Sequence, residues 1–361
     1  MNRFFYKLSS PLLRFSKVLV AGIILFGKGA YEMLAVVKEH SGPGFAIKDV
    51  PEPKCREDDV IVKVKSVGFC GTDGPILAGT REVPWPLIPG HEFAGDIVET
   101  GAKVEGWKVG DRVSACIVIG CGNCKFCIEG NEPLCDRLIE TGIHVNGAFA
   151  EYVRVPAKVL VKLRDTTSYD FGAAVDPVAS AYRTVKKMPL TSKDTVMVLG
   201  PGPIGLYATQ LLKLRGARKI IVLGAACDKD RLQMALKLGA TDIINNSEEN
   251  PIERVKEITG GEMLDFVHDC AGAAALVETA MNSIKKSGSY YITGLFHSDP
   301  PVNLGKVVRS EIDIRGTICY TREEFRECLD LIQDGRVEVT PMITHHYALK
   351  DMEKAFETFQ K

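Results

Sequence analysis

The chain lacks an excess of charge of either sign. Its 361 residues include 45 Lys or Arg and 46 Asp or Glu, so the formal net charge is −1 at pH 7. A balance of this kind excludes the strongly basic surface that concentrates nucleic acid or anionic lipid, and we expect no nucleic-acid partner. At about 150 residues per domain, the length predicts two packed domains.

The chain also shows no apolar run long enough to cross a membrane. The apolar run of its N-terminal stretch, residues 18–27, is half the roughly 20 residues that a transmembrane helix needs. We therefore expect no stable membrane span and a cytoplasmic protein. Basic residues precede this run, an order that resembles a secretory signal. Residues 1–32 are interpreted as an extension: a translated leader ahead of a start at Met33, a targeting or membrane-surface segment, or an ordered extension.

Cysteines are too few, and odd in number, for a small disulfide scaffold: there are 11. Four of them follow the pattern C-x2-C-x2-C-x7-C, namely Cys121, Cys124, Cys127 and Cys135. Four sulfurs suit a tetrahedral zinc ion and leave no position open for water or substrate, so the pattern predicts a structural zinc site. An iron–sulfur run has a shorter last gap and a proline where Asp136 stands here. Four unbound thiols are the remaining alternative.

The pattern of strands and helices changes along the chain. Short β-rich runs divided by glycine and proline extend from Met33 to about residue 156, and strand-like runs alternate with helical stretches from about residue 195. The alternation predicts a parallel sheet with helices on both faces. The fold class is therefore α/β, with a β-rich domain at 33–185 and a doubly wound domain at 186–334.

A second group of candidate metal ligands lies upstream of the four cysteines. Cys70 stands in the sequence Cys-Gly-Thr-Asp, and Gly-His-Glu follows at residues 90–92. A thiolate, an imidazole and a carboxylate can hold zinc and leave a position for an exchangeable water or alcohol. Neither motif is specific alone, because a lone histidine beside a strand is more often a hydrogen-bonded core residue than a ligand.

A glycine-rich loop opens the second part of the chain. Residues 196–199 form an apolar strand-like run that leads into Gly200-Pro-Gly202-Pro203-Ile204-Gly205, which is G-x-G-x-x-G between a predicted strand and a predicted helix. Such a loop makes a tight turn, lets the backbone approach a pyrophosphate and places the phosphates at the N-terminus of the helix. We therefore predict that this loop binds a dinucleotide.

The residue that should hold the adenosine ribose is not acidic. A carboxylate is expected about 20 residues beyond the glycine loop, and Gly224 stands there, with Lys229 and Arg231 close by. Losing that carboxylate removes repulsion toward a ribose 2′-phosphate, and nearby cations favour the phosphate, so the sequence favours NADP. In the alternative interpretation, Asp228 turns back to the ribose and NAD is used.

The order of these motifs resembles that of the zinc-containing medium-chain dehydrogenases, from Met33 to the C-terminus. Within the family, the stretches 89–93 and 147–152 and the pair Asp176-Pro177 are similar to the sorbitol, L-threonine and secondary-alcohol branches. The resemblance implies that residues 33–185, together with 335–361, form a GroES-like catalytic domain, and that residues 186–334 form a Rossmann dinucleotide-binding domain. It also implies two zinc ions per chain, NAD or NADP, a small alcohol or polyol substrate, and a homo-oligomer, either a dimer or a tetramer.

The resemblance also assigns roles to residues. The catalytic zinc would be held by Cys70, His91, Glu92 and Asp176, with Asp176 acting directly or through water, and the Thr72 hydroxyl would hydrogen-bond the reacting oxygen. The implied cofactor-binding residues are Gly200, Gly202, Pro203, Ile204, Gly205, Gly224, Arg231 and Leu295.

Two departures from the family pattern concern proton transfer and the C-terminus. Pro75 replaces a relay histidine, and the chain stops at Lys361, where relatives continue into a final strand.

A zinc-free quinone or enone reductase and a catalytically lapsed zinc- and dinucleotide-binding protein are the alternative functions.

Overall fold

The computed structural model describes residues 32–360. The extension predicted for residues 1–32 lies outside this range except for Glu32. Among the described residues, no helix is long and apolar enough to cross a membrane.

The first part of the chain is built mainly from antiparallel strands. A hairpin of β1 and β2 packs beside a five-stranded sheet in the order β8-β3-β4-β5-β9. The short strands β6 and β7, which precede and follow the four-cysteine segment, pair with each other. The strands of this part are β1 (Glu32–Val37), β2 (Ala46–Pro51), β3 (Asp59–Gly68), β4 (Glu92–Thr100), β5 (Arg112–Ala115), β6 (Val118–Ile119), β7 (Ile139–Glu140), β8 (Tyr152–Pro156) and β9 (Leu160–Lys162).

The helices of this part are short until its end. The last of these helices, residues 175–187, is buried along most of its length. It packs against the first and the last helix of the second part, residues 203–214 and 322–333. These helices are α1 (Asp73–Ala78), α2 (Lys125–Ile128), α3 (Tyr169–Ala173) and α4 (Val175–Lys187).

The second part is a six-stranded parallel sheet in the order β12-β11-β10-β13-β14-β15. Its central strand β10 is buried at every position, as expected for a parallel strand covered by helices on both faces. Its strands are β10 (Thr195–Leu199), β11 (Lys219–Gly224), β12 (Asp242–Asn245), β13 (Leu264–Asp269), β14 (Ile284–Ile292) and β15 (Asp313–Gly316). Its helices are α5 (Pro203–Leu214), α6 (Lys229–Leu238), α7 (Pro251–Thr259), α8 (Ala274–Ser283), α9 (Leu304–Ser310) and α10 (Arg322–Gln333).

The chain returns to the first part through α11 (Met352–Gln360). This helix packs its Met352 and Ala355 against β1, in an apolar cluster with Phe149. The strand order of the parallel sheet is the 3-2-1-4-5-6 arrangement of a dinucleotide-binding fold. The predicted fold class, a GroES-like β domain with a doubly wound Rossmann domain, is therefore confirmed.

Candidate active site and metal sites

Two neighbouring strands bring the predicted catalytic ligands together. Gly68, the last residue of β3, is paired with Glu92, the first residue of β4. Cys70 and His91 therefore lie side by side, although 21 positions separate them in the chain. The ligand atoms of Cys70, His91 and Glu92 all lie within 4.8 Å of one another. A β-carbon on Gly68 would lie 2.5 Å from Glu92 Oε2, so glycine leaves room for this carboxylate.

A fully buried carboxylate that sequence reasoning did not assign supports this group. Asp73 Oδ1 lies 3.6 Å from His91 Nδ1, and neither atom has a hydrogen-bond partner among the described residues. The other oxygen of Asp73 accepts a hydrogen bond from the Cys70 N–H at 3.0 Å. Asp73 closes the same Cys-Gly-Thr-Asp motif that contains Cys70, which was the available signal. A carboxylate beside a ligating imidazole fixes its tautomer and orientation.

The electrostatics of this group suit a cation. Burial, followed by the charges of Asp73 and Asp176, raises the pKa of the Cys70 thiol to about 12. Burial, followed by the charge of Cys70, also raises the pKa of Glu92 well above its ordinary value. These acidic groups favour their protonated forms unless a positive ion replaces the protons. One sulfur, one imidazole nitrogen and one carboxylate oxygen fit a catalytic zinc ion with an open position.

Asp176 lies near this group but outside it. The aspartate is in the first turn of α4, and its Oδ2 accepts a hydrogen bond from the Tyr320 hydroxyl. Burial is the main reason that its pKa rises to about 6. Its ligand atoms are not among those that lie mutually within 4.8 Å. Tyr320 was not predicted, because its contact with Asp176 depends on how the segment after β15 folds back onto α4.

Thr72 stands at the N-terminal boundary of α1, two residues beyond Cys70. Its side chain is half-buried and does not cap the helix, so capping does not engage its hydroxyl. The backbone and hydroxyl of Thr72 favour the Cys70 thiolate, acting against the effect of burial on the Cys70 pKa. The hydroxyl of Thr72 thus lies close to Cys70, and its role toward the reacting oxygen stays a prediction.

The four cysteines of the lobe form a second, separate ligand group. Their sulfur atoms all lie within 4.8 Å of one another. The backbone N–H groups of Cys121 and Arg137 each donate to the Cys135 sulfur at 3.3 Å, and such bonds stabilise a thiolate. A β-carbon on Gly120 would lie 2.7 Å from the Cys127 sulfur, so the backbone passes close to the sulfurs. Four converging sulfurs fit a closed tetrahedral zinc site.

The glycine loop has the geometry of a phosphate cradle. Gly200 has a φ of 88°, which strains any residue with a β-carbon. A β-carbon on Gly205 would overlap the Gly200 carbonyl oxygen, whereas nothing lies within 4 Å of the corresponding position on Gly202. Pro203 begins α5, and Ile204 follows it. Open space at Gly202 beside the N-terminus of a helix fits a dinucleotide pyrophosphate.

The predicted ribose site lies at the end of β11. Gly224 is the last residue of that strand, and a β-carbon there would lie 3.0 Å from both the Asp228 β-carbon and Pro201 Cγ. Asp228 accepts a hydrogen bond from the Ala225 N–H at 3.1 Å, and its other oxygen lies 3.3 Å from the Arg231 guanidinium. The carboxylate of Asp228 is thus held within its own turn.

Leu295 lies at the same edge of the sheet. Its carbonyl oxygen would be 2.5 Å from a β-carbon on Gly272, in the segment that follows β13. The Leu295 side chain is 58% exposed. Because the carboxyl ends of parallel strands meet at one edge, Leu295 lies on the cofactor side of the sheet.

Comparisons with known proteins agree with this architecture. Two family descriptions match the chain, "Alcohol dehydrogenase GroES-like domain" over residues 56–165 and "Zinc-binding dehydrogenase" over residues 203–334. The L-threonine 3-dehydrogenase of Streptomyces coelicolor is 34% identical over 90% of this chain and 95% of that protein. The sorbitol dehydrogenase of Halalkalibacterium halodurans is 33% identical over 91% of this chain and 96% of its own length.

A solved structure gives the same result. The crystal structure of a zinc-binding dehydrogenase from Sinorhizobium meliloti, bound to NADP, superposes with a TM-score of 0.85 at 30% identity, covering 90% of this chain and 95% of that one. The chain therefore belongs to the zinc-containing medium-chain dehydrogenases, in the branch of the L-threonine and sorbitol enzymes, and is a zinc-dependent NAD(P) alcohol dehydrogenase.

Proposed function

We propose that this chain reversibly oxidises the secondary hydroxyl of a polyol, a simple alcohol or a 3-hydroxy amino acid, with Cys70, His91 and Glu92 holding the catalytic zinc. The observation that carries the proposal is the mutual approach of these three ligand atoms within 4.8 Å, beside the hydroxyl of Thr72. A quinone or enone reductase without zinc would not need such a buried acidic group.

The roles of the chain's own residues follow from their positions. Zinc held here supplies a Lewis acid that polarises the alcohol oxygen. Thr72 accepts the proton of the substrate hydroxyl and passes it toward solvent, because its own hydroxyl is not engaged in capping α1. Asp73 orients His91 through their 3.6 Å contact. The carbinol C–H bond breaks with its electron pair, which moves as hydride to the nicotinamide ring.

The resemblance allows Asp176 to bind the zinc directly or through a water molecule, and we assign it the position that acts through water. Tyr320 donates to one of its oxygens, and its ligand atoms lie outside the group formed by Cys70, His91 and Glu92. Only its second oxygen is left to accept a hydrogen bond from water at the metal. Asp176 would therefore act through water rather than as a direct ligand.

Metal content and turnover test this proposal together. We expect two zinc ions per chain in the purified protein and one in a Cys70→Ser variant, which should keep the zinc of the four-cysteine lobe. Nicotinamide absorbance with sorbitol, xylitol, threonine, butanediol and simple secondary alcohols should show turnover for the parent protein and none for the variant. Equal turnover by both proteins would contradict the assignment of Cys70.

We infer a preference for NADP over NAD. Gly224 removes the carboxylate that would repel a 2′-phosphate, and the carboxylate of Asp228 is held by the Ala225 N–H. Lys229 and Arg231 are then the cations available to the phosphate, although Asp228 partly neutralises Arg231 at 3.3 Å. Arg231→Ala should weaken NADPH binding about tenfold and leave NADH binding unchanged, and Asp228→Asn should strengthen NADPH binding. A higher kcat/KM with NAD for the parent protein would contradict the inference.

We also infer a homo-oligomer, a cytoplasmic location and a domain division at 185/186, with 335–361 returning to the catalytic domain. β15 forms one edge of the parallel sheet and is exposed at each of its four positions. The nearby helix α9 exposes Leu304 and Val308. An open edge beside an apolar helix face suits pairing with a second copy across a two-fold axis. None of the eleven cysteines, all of which lie within residues 32–360, forms a disulfide, and this favours a reducing compartment.

A further inference from the structure

A fully buried aspartate outside both metal-ligand groups lies at the carboxyl end of the parallel sheet. Asp269 is the last residue of β13, and none of its surface is exposed. β13 pairs with β10, the strand that ends in the glycine loop. The proposed hydride transfer makes no use of the Asp269 carboxylate, so its role is to be found in what it holds.

Three donors satisfy the Asp269 carboxylate. Its Oδ1 accepts hydrogen bonds from the backbone N–H groups of Ala271 and Gly272, each at 2.9 Å. Its Oδ2 accepts a hydrogen bond from the Tyr290 hydroxyl at 2.5 Å, and Tyr290 lies in the adjacent strand β14. The carboxylate therefore fixes the backbone of the loop that follows β13 and attaches this loop to β14.

The backbone of Asp269 also holds the loop that follows β14. Its carbonyl oxygen accepts the N–H of Thr293 at 2.9 Å and the N–H of Gly294 at 3.0 Å. The two loops are in close contact, because a β-carbon on Gly294 would overlap the backbone nitrogen of Gly272. A β-carbon on Gly272 would in turn lie 2.5 Å from the Leu295 carbonyl oxygen. A shift of one loop must therefore move the other.

The loop that follows β13 also lies against the glycine loop. A β-carbon on Gly200 would lie 2.9 Å from the Ala271 β-carbon, and the Cys270 N–H donates to the Leu199 carbonyl oxygen at 3.0 Å. In a sheet with this strand order, succession reverses between β10 and β13, and a dinucleotide binds across the crevice at that point. The glycine loop and residues 270–272 are therefore the two sides of this crevice.

We propose that Asp269 is a positioning residue for the dinucleotide. Its carboxylate, held by Tyr290, fixes residues 270–272 and the adjoining residues 293–295 at the distance from the glycine loop that the bound cofactor requires. Asp269 is too deeply buried to touch the cofactor itself. A crevice set in this way before the cofactor arrives needs less ordering on binding. The inference rests on the proposed cofactor site and is independent of which alcohol is oxidised.

Titration of the protein with NADPH, followed by fluorescence and without substrate, tests the inference. We expect Asp269→Ala, which leaves three donors without their acceptor, to raise the dissociation constant about tenfold or more. Asp269→Asn keeps an oxygen that accepts both N–H groups, and its amide can donate to the Tyr290 oxygen. The dissociation constant for this variant should stay within about threefold of the parent value.

A second variant tests the contact with β14 without removing the carboxylate. Tyr290→Phe deletes one hydroxyl, and we expect the dissociation constant for NADPH to rise about threefold. This variant decides the matter alone if Asp269→Ala does not fold. An unchanged dissociation constant in Tyr290→Phe, or in a folded Asp269→Ala protein, would overturn the inference.

Asp265 provides the matched control, because it lies at the opposite end of the same strand. This aspartate is also buried, accepts the Thr195 N–H at 2.8 Å and pairs with Lys285. Asp265→Ala should lower the Tm and leave the dissociation constant for NADPH unchanged, with zinc content constant in every variant. Equal weakening by Asp265→Ala and Asp269→Ala would show a general loss of stability and overturn the inference. If no alcohol is oxidised, the proposed function fails, and the titration still decides the role of Asp269.

Discussion

At the scale of single residues, the site depends on buried acids whose positions are set by short local contacts. Asp73 links the Cys70 backbone to the His91 ring, and Tyr320 holds one oxygen of Asp176. The contact with Tyr320 leaves the other oxygen of Asp176 able to accept a hydrogen bond. Thr72, two residues beyond the metal ligand Cys70, carries the hydroxyl that we place in the proton path.

Replacing Thr72 should separate proton transfer from cofactor binding. Thr72→Val keeps the shape of the side chain and removes the hydroxyl, so we expect kcat to fall by about 10²-fold or more while the dissociation constant for NADPH is unchanged. Thr72→Ser restores a hydroxyl and should recover most of kcat. Fluorescence titration of the cofactor and steady-state rates measure the two quantities. An unchanged kcat in Thr72→Val would remove this hydroxyl from the proton path.

His268 should make the folded protein less stable in mild acid. It lies in β13 with its Nε2 2.9 Å from the Thr293 hydroxyl, and its Nδ1 has no partner among the described residues. Burial lowers its pKa to about 3. The unfolded chain therefore binds a proton below about pH 6.5 that the folded chain does not, so stability is lost as the pH falls through that value. The contribution amounts to about 2 kcal/mol between pH 7 and pH 5.

Denaturant unfolding at pH 7 and pH 5 measures this contribution. A His268→Gln variant, which cannot titrate in this range, should lose less stability than the parent on acidification. Equal losses in the two proteins would show that other groups carry the acid sensitivity.

At the scale of elements, the four-cysteine lobe stabilises the molecule through α4. The Arg183 guanidinium in α4 donates to Asn131 of the lobe and, at 2.8 Å, to Glu324 of α10. Loss of order in the lobe therefore removes a partner from a guanidinium that is almost fully buried.

Removing one lobe cysteine should lower stability without emptying the catalytic site. We expect Cys127→Ser to keep one zinc per chain and to lose about 3 kcal/mol of stability, which corresponds to a Tm about 6–12 °C lower for a domain of this size. Cys227→Ser, at an exposed thiol outside the lobe, is the matched control and should change neither quantity. Metal analysis and thermal unfolding measure both. A Cys127→Ser protein with two zinc ions would contradict the lobe assignment.

The elements and local motifs were predictable from the sequence, and several contacts across the fold were not. Strand–helix alternation from residue 195 and the spacing of Gly200, Gly202 and Gly205 are local signals, and the parallel sheet confirms the fold they predicted. Tyr320 carried no such signal. It follows Cys319, whose φ of 47° is unusual for a residue other than glycine, and its contact with Asp176 is set by long-range packing.

At the scale of the whole molecule, the exposed edge of the parallel sheet should determine assembly. Val308 is 77% exposed and Leu304 is 68% exposed on α9, beside β15. A charge in this apolar face would be buried on pairing, so we expect Val308→Asp to give monomers in sedimentation equilibrium while circular dichroism and zinc content are unchanged. Val109→Asp, at a 62% exposed position in the catalytic part, is the matched control and should leave the oligomer intact. Monomers of the parent protein would contradict this interface.

The bridge made by Arg183 also has a consequence for biosynthesis. The guanidinium and its lobe partner Asn131 leave the ribosome well before Glu324 does. Until α10 is synthesised, the Glu324 carboxylate is absent. Of its two hydrogen-bond partners, Arg183 can then contact only Asn131 of the lobe. Zinc uptake by the nascent lobe can therefore precede and prepare the docking of the cofactor half.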